Sequence, residues 1–497
     1  MPAPLRDPLD FAGDDGGQDA QQHGAVPRPQ GQGDRGASRG AATGLSLGLA
    51  CSKGGAGRMQ PGLLALNLGA SRKASLSVSP SASGPSSIAG TPTPDDAVRS
   101  TDSDALLSRL SAIAAGYLPP NAFSAELLSA ASSAQAGWKL VPGSHAAVPV
   151  ASHVAARRPP LINVGTYLRC TCMDKRVRAS LASSGSVKGK RKGKQVISLG
   201  AGSDDRFWRL AASTDPSGNS QHLERYVEVD FPQLTASKIR SISRSAALAT
   251  PLTNGATPPL PLTQETGVQI TMDGTELHAA RSGYHLLPID LRHLAHPPPH
   301  SSSSSSDTAP SEARAVLREA IDPSLPTVVL LECVLSYLEP STSDALLGWL
   351  LRDLLRTCPH VAVLSYDICL GGDLQQRSAS DGEQQAIVSE FGQVMLQNLR
   401  ARRLDIPGAK ATTLPHMHAE RLRRTLSPLP ERELEGNKRE TPAEVSVQAT
   451  SLRSIWEGLD AGERDRLSKV EGLDEVEELN LLLSHYCISE GRRILCT

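Results

Sequence analysis

The residues best suited to chemistry in this 497-residue chain are a glycine pair and a set of acids, each set at the end of an apolar run. Gly200-Ala201-Gly202 closes the run "QVISL", and Asp204 and Asp205 follow at once. Two glycines bare the backbone where a strand gives way to a helix, which lets a ligand approach the main chain. The third position of a dinucleotide fingerprint holds Asp205 instead of glycine, and aspartates crowded at that turn repel a pyrophosphate. Further acids recur in step: Glu228 and Asp230 in "YVEVDF", Asp290 in "PIDLRHL" and Glu332 in "LLECVLSYLEP". An acid ending the second strand stands where ribose hydroxyls are bound, although a plain turn residue gives the same pattern. Asp290 is placed to meet an adenine amino group. Glu332 ends a very apolar strand, so its charge needs a partner, either a structural arginine or a cationic ligand. Acids at four strand ends favour the cation. A nucleoside that is positively charged and carries no phosphate satisfies these demands, and S-adenosyl-L-methionine is such a molecule.

Metal chemistry is not expected. The eight cysteines fall at 51, 170, 172, 333, 358, 369, 487 and 496, and none are in Cys-x2-Cys spacing. Cys170 and Cys172 lack a neighbouring histidine or second pair, so no metal ligand set is expected, and a reducing compartment fits the scatter.

Positioning these groups requires a sheet. Runs at 195–200, 226–231, 284–290, 327–333 and 361–367 are short, nearly continuous in apolar content and bounded by turn residues. Strands of a parallel sheet covered on both faces read this way. Helix-like segments alternate with them, and "STDSDALLSRLSAIAAGYL" (100–118) starts with Ser and Asp as capping residues before leucines at spacings of three and four. Only 3% of residues are aromatic, with 42 Gly and 36 Pro, so a good part of the chain cannot bury a core. Residues 1–94 read as a disordered tail. Residues 36–94 contain no acid and resemble a transit segment in composition, but they do not begin at Met1. Residues 95–160 form an N-terminal helical cap, 161–390 the core and 391–497 a C-terminal helical elaboration. Disordered inserts fall near 183–194, 247–265 and 296–312, in basic, Pro/Thr/Gly-rich and polyserine sequence.

A net charge of -1 gives no global electrostatic reason for a nucleic-acid or anionic-membrane partner, and the basic run at 188–194 reads as a solvated loop. No stretch approaches the eighteen or so unbroken apolar residues of a membrane span. The expectations are no nucleic acid, no membrane, a monomer, and a cytoplasmic setting with the nucleus admitted.

Seven segments in order resemble the leucine carboxyl methyltransferases, which esterify the C-terminal leucine of the protein phosphatase 2A catalytic subunit using S-adenosyl-L-methionine. They are "PPLINVGTYLR", "LGAGSDDRFWRL", "YVEVDFPQLTASKI", "PIDLRHL", "PTVVLLECVLSYLEPSTSDALL", "FGQVMLQNLRARRLDIPGA" and "LDEVEELNLLLSHYC". The resemblance implies a Rossmann-like class I methyltransferase fold, α/β, with the cap and elaboration named above. It carries cofactor contacts over to Arg169, Gly200, Asp230, Asp290, Leu291 and Glu332, with Gly202 beside them. The family's N-terminal helix supplies a lysine, for which Arg109 is the best match here. An arginine keeps that charge but changes its shape.

A C-terminal carboxylate is already ionised at neutral pH, so methylation needs no general base. The demands are desolvation and alignment of one oxygen behind the methyl. Arg169 is the candidate to grip that carboxylate, since a planar guanidinium matches two oxygens, and Tyr337 is its candidate hydroxyl partner. Three alternatives stay open from the residues alone: a same-fold enzyme acting on a small-molecule acid or a tRNA base, a non-catalytic methyltransferase-like binding protein, and a nicotinamide oxidoreductase.

Overall fold

The computed structural model describes residues 93–128, 157–182, 193–213, 223–253, 255, 262, 264–296, 309–373, 387–427 and 442–496. Of the tail expected at 1–94, residues 1–92 lie outside the described residues, as do most of the first and third expected inserts and part of the second. Among the described residues there are nine strands: β1 Lys194–Leu199, β2 Leu223–Asp230, β3 Val268–Ile270, β4 Leu277–Ala279, β5 Tyr284–Pro288, β6 Thr327–Glu332, β7 His360–Ile368, β8 Ala443–Ser451 and β9 Tyr486–Leu495. They form one sheet in the order β3-β4-β5-β2-β1-β6-β7-β9-β8.

The five strands from β5 to β7 run parallel, and the pairs at both flanks are antiparallel. These five are the strands expected from sequence. Their side chains are buried on both faces, which is why they read as unbroken apolar runs. Ile197, Val229, Val329 and Val363 from the sheet pack with Leu317, Leu346 and Leu350 from the helices of one layer. Each such side chain contributes about 1.5–3 kcal/mol by leaving water. The chain reverses direction across the sheet between β1 and its two neighbours, β2 and β6. Ligands of open α/β sheets bind outside the strand carboxyl ends at such a switch point.

Several expectations are corrected. The segment 391–497 is not purely helical, because β8 and β9 extend the sheet past β7. β8 alternates half-buried and exposed residues, a two-residue period hidden among charged helical segments. The insert placed at 247–265 overlaps the helix Ala246–Leu252, whose Leu248, Ala249 and Leu252 are buried. Lys194, assigned to the first insert, opens β1, and the helix Ala309–Ala320 begins inside the range given to the third.

The N-terminal helix starts earlier than the Ser/Asp cluster indicated. It spans Pro94–Ala115, with Thr93 and Asp96 forming a reciprocal capping box and Gly116 ending it in the left-handed region. This frees Asp102 and Asp104, which lie inside the helix, to act elsewhere. Asp104 pairs with Arg158 and Arg402.

Candidate active site

The turn after β1 is built from its own backbone and from its neighbours. The Gly200 amide donates to the Val229 carbonyl at 2.8 Å, which ties β1 to β2 where both strands end. Gly200 and Gly202 have φ of 64° and 47°, a region that side chains resist. A Cβ on Gly200 would stand 2.6 Å from Cγ2 of Val334, and one on Gly202 would collide with the Asp102 carboxylate. The glycines are therefore required by protein packing as well as by any ligand. Asp102 reaches from the N-terminal helix and accepts from the Ser203 amide at 2.6 Å and the Ser203 hydroxyl at 2.7 Å.

The same helix crosses the strand ends at further points. Asp95 pairs with Arg292, Arg99 lies over the Phe231 ring, and Arg109 donates to the Ser203 carbonyl at 3.0 Å. Arg109 also stands 3.8 Å from Asp205. Its charge is thus spent on protein groups behind the glycine turn.

The reading that four strand-end acids await a cation is corrected by the partners they have. Glu332 accepts from Arg169 Nε and from Arg206, each at 2.8 Å, so structural arginines neutralise it. Burial opposes its ionisation, but the two guanidiniums outweigh burial and hold it below the usual carboxylate range. Glu228 points into the layer behind the sheet, where Lys238 pairs with it at 2.5 Å and the Tyr284 hydroxyl donates at 2.8 Å. Asp290 caps the helix Leu291–Ala295 and takes Arg292 through both oxygens. Leu291, beside it, packs partly buried against the main core.

Asp204 and Asp205 are committed as well. Arg206 binds Asp204, Asp174 and Glu332, while Arg209 bridges Asp174 and Asp205. Asn121 and Ser124 also donate to Asp205. Alternating charges in one buried network let each ion be paired, which is the condition for carrying ions out of water. Arg206, adjacent to the aspartate pair, was the available sequence signal for this network. Asp174 gave none.

Asp230 differs from the others. It is 7% exposed, and its oxygens accept from two backbone amides, Gly202 at 2.6 Å and Phe231 at 2.7 Å. Burial raises its pKa to about 6 in spite of those amides. A carboxylate left without an ion-pair partner among the described residues, beside the glycine turn and at the switch point, suits ligand hydroxyls or positive charge.

Arg169 lies inside the helix Pro160–Ala182. Its Nε is committed to Glu332, and its guanidinium carbon sits 4.9 Å from the centroid of the Tyr366 ring. Tyr366 in turn stacks on Tyr486 of β9, with planes only 3° apart. Neither tyrosine was singled out from sequence: Tyr366 lies in an expected strand, and its stacking on Tyr486 depends on the pairing of β9 with β7. Tyr337 is held by a hydrogen bond with Thr101 of the N-terminal helix, and burial raises its pKa. The structure thus gathers Arg169, Glu332 and Tyr366 around one point, with Asp230, Gly200 and Gly202 at the adjoining turn.

Comparison with known proteins identifies the family of the chain. The family model described as leucine carboxyl methyltransferase matches residues 97–351. A protein of Mycosarcoma maydis named leucine carboxyl methyltransferase 1 is 37% identical over 444 residues, covering 80% of this chain and 78% of that one. A Cryptococcus neoformans protein of the same name is 36% identical, covering 81% of this chain and 94% of that one. One from Rattus norvegicus is 27% identical, covering 68% and 79% respectively. No helix among the described residues is long and apolar enough to cross a membrane. The chain belongs to the leucine carboxyl methyltransferase family, S-adenosylmethionine-dependent enzymes that place a methyl group on a carboxylate.

Proposed function

We propose that this chain methylates the α-carboxylate of the C-terminal leucine of the protein phosphatase 2A catalytic subunit, with S-adenosyl-L-methionine as donor. Family membership supports the carboxyl chemistry, and the seven resembling segments support the protein substrate. The observation that carries the reading is the posture of Arg169. It hydrogen-bonds to Glu332 through Nε and rests on Tyr366, which leaves its two terminal amino groups as a fork for a carboxylate.

Asp230 fits the donor, since an unpaired buried carboxylate accepts ribose hydroxyls where a paired one does not. Gly200 and Gly202 bare the adjacent backbone, Asp290 and Leu291 border the adenine side, and Glu332 fixes Arg169. Arg109 acts through Ser203 and Asp205, shaping the loop that follows the glycines. When bound, the donor supplies a methyl on positively charged sulfur, and the bonding pair returns to sulfur as a carboxylate oxygen joins the carbon. Arg169 orients the carboxylate, and Tyr337 adds a hydroxyl to the same pocket. The helix Pro94–Ala115 covers the strand ends and keeps water from the reacting pair, so opposite charges attract strongly there. No proton is transferred, because the carboxylate arrives ionised.

Transfer of a radiolabelled methyl group to purified phosphatase catalytic subunit tests this, beside a copy lacking its terminal leucine. Label on the intact subunit alone, released by mild base, is the expected result. Equal labelling of both copies, or no label while the donor still binds, would overturn the substrate assignment.

A further inference from the structure

Away from the proposed active site, three soft donors meet where β7, β9 and the helix Pro415–Leu426 join. Cys369 follows the last residue of β7, Cys487 lies in β9 opposite Asp367, and His418 is on the helix. Their donor atoms lie within 4.8 Å of one another. Cys369 and Cys487 are fully buried, and His418 is 4% exposed. Buried cysteines ordinarily serve as small apolar side chains. What separates this trio is Nε2 of His418, a buried nitrogen with no hydrogen-bond partner among the described residues. Backbone groups of Ile368 and Thr412 hold the ring in place. An orphaned ring nitrogen costs stability unless something binds it, and a fixed imidazole with one free nitrogen is how histidine meets a metal.

We propose that Cys369, Cys487 and His418 form a site for a soft divalent cation of the zinc class, which pins the C-terminal strand and helix to the parallel sheet. A zinc ion about 2.3 Å from sulfur and about 2.0–2.1 Å from nitrogen sets its donors about 3.5–3.8 Å apart. Donors already within 4.8 Å close on the ion by small side-chain rotations. Binding exchanges two thiol protons for the cation. Two thiolates, one neutral imidazole and a divalent ion sum to zero charge, the state least opposed by burial. A monovalent ion on the same ligands would leave a buried negative charge. Among the described residues no fourth His, Cys, Asp or Glu joins the group, so the protein contributes three donors. Cys170 and Cys172, the pair that sequence brings to mind, are two apart on one helix and face different ways.

The test uses the full chain with Cys51→Ser and Cys496→Ser, which remove two of the six cysteines outside the cluster, purified anaerobically and stripped with a chelator. Cobalt(II) titration should give one thiolate-to-metal charge-transfer band, saturating at one ion per chain and abolished by one equivalent of zinc. The melting temperature should rise when zinc is restored. Cys369→Ser and Cys487→Ser should each lose the band, and His418→Gln should weaken binding. A folded wild type that takes up no cobalt would overturn the proposal, as would an unchanged spectrum in the serine variants. A Cys369–Cys487 disulfide in the anaerobic protein would also overturn it. If the serine variants do not fold, X-ray absorption at the zinc edge of the wild type decides. Two sulfurs and one nitrogen support the site, and any other protein donor set overturns it.

Discussion

The amide of Gly202 donates to Oδ2 of Asp230 at 2.6 Å, joining the glycine turn after β1 to the acid that ends β2. This bond, with that from Phe231, holds the carboxylate in place without neutralising it. Burial outweighs both amides and raises the group from 3.8 to about 6. A raised carboxyl pKa opposes folding once the group ionises. The cost is absent below the unfolded value, grows between 3.8 and about 6, and is complete above that. It amounts to about 3 kcal/mol at most, by the conversion of one pKa unit to 1.36 kcal/mol.

Donor binding at Asp230 therefore releases a proton at pH values near 6 and strengthens as pH rises through that range. Calorimetry with S-adenosylmethionine in two buffers of different ionisation enthalpy should detect the release. Asp230→Ala should weaken affinity and remove the pH dependence. A wild-type affinity flat between pH 5 and pH 7, on the order of one unit each side of that value, would refute the assignment.

Arg169→Ala should lower kcat/KM for the protein substrate by about 100-fold or more, the scale of losing a charged group aimed at the reacting centre. The fold should survive, because Arg206 still pairs with Glu332. Arg169→Lys should not restore the rate, since an ammonium lacks the planar fork. Activity within a few-fold of wild type for the alanine variant would rule out the role.

Lys238→Met should destabilise the fold by about 3–5 kcal/mol, because it strands the buried Glu228. Pairing it with Glu228→Leu should recover much of that loss, and donor affinity should stay unchanged in the double variant. Denaturant unfolding and calorimetry check the two halves. A donor affinity that falls with Glu228→Leu would return this acid to the site.

Asp102→Ala should loosen the helix Pro94–Ala115 from the glycine turn, as it removes both Ser203 hydrogen bonds. Hydrogen bonds to a charged group contribute about 1.5–3 kcal/mol each. Amide exchange across that helix should accelerate, and bound donor should dissociate faster. Exchange indistinguishable from wild type would remove the clamp from the account.

The sequence alone determined the parallel strands, the glycine turn and the acids at the strand ends. Each of these is written in a few consecutive residues, as an apolar run, a backbone-permissive pair or a turn. Partner choice was decided only by tertiary structure. Glu332 finds Arg169 and Arg206 across 163 and 126 residues, and no local period encodes such a meeting. With a structural arginine and a cationic ligand as competing answers at Glu332, sequence favoured the ligand, and the fold supplied two arginines. Asp230 differs from the other strand-end acids because its hydrogen-bond donors are backbone amides, which hold a charge without cancelling it. β8 and β9 were missed because their alternating or mixed composition resembles charged helix, and only pairing with β7 makes them strands. The same pairing carries Cys487 to Cys369, and the packed helix adds His418. That meeting depends on long-range register, which a list of cysteine spacings does not contain.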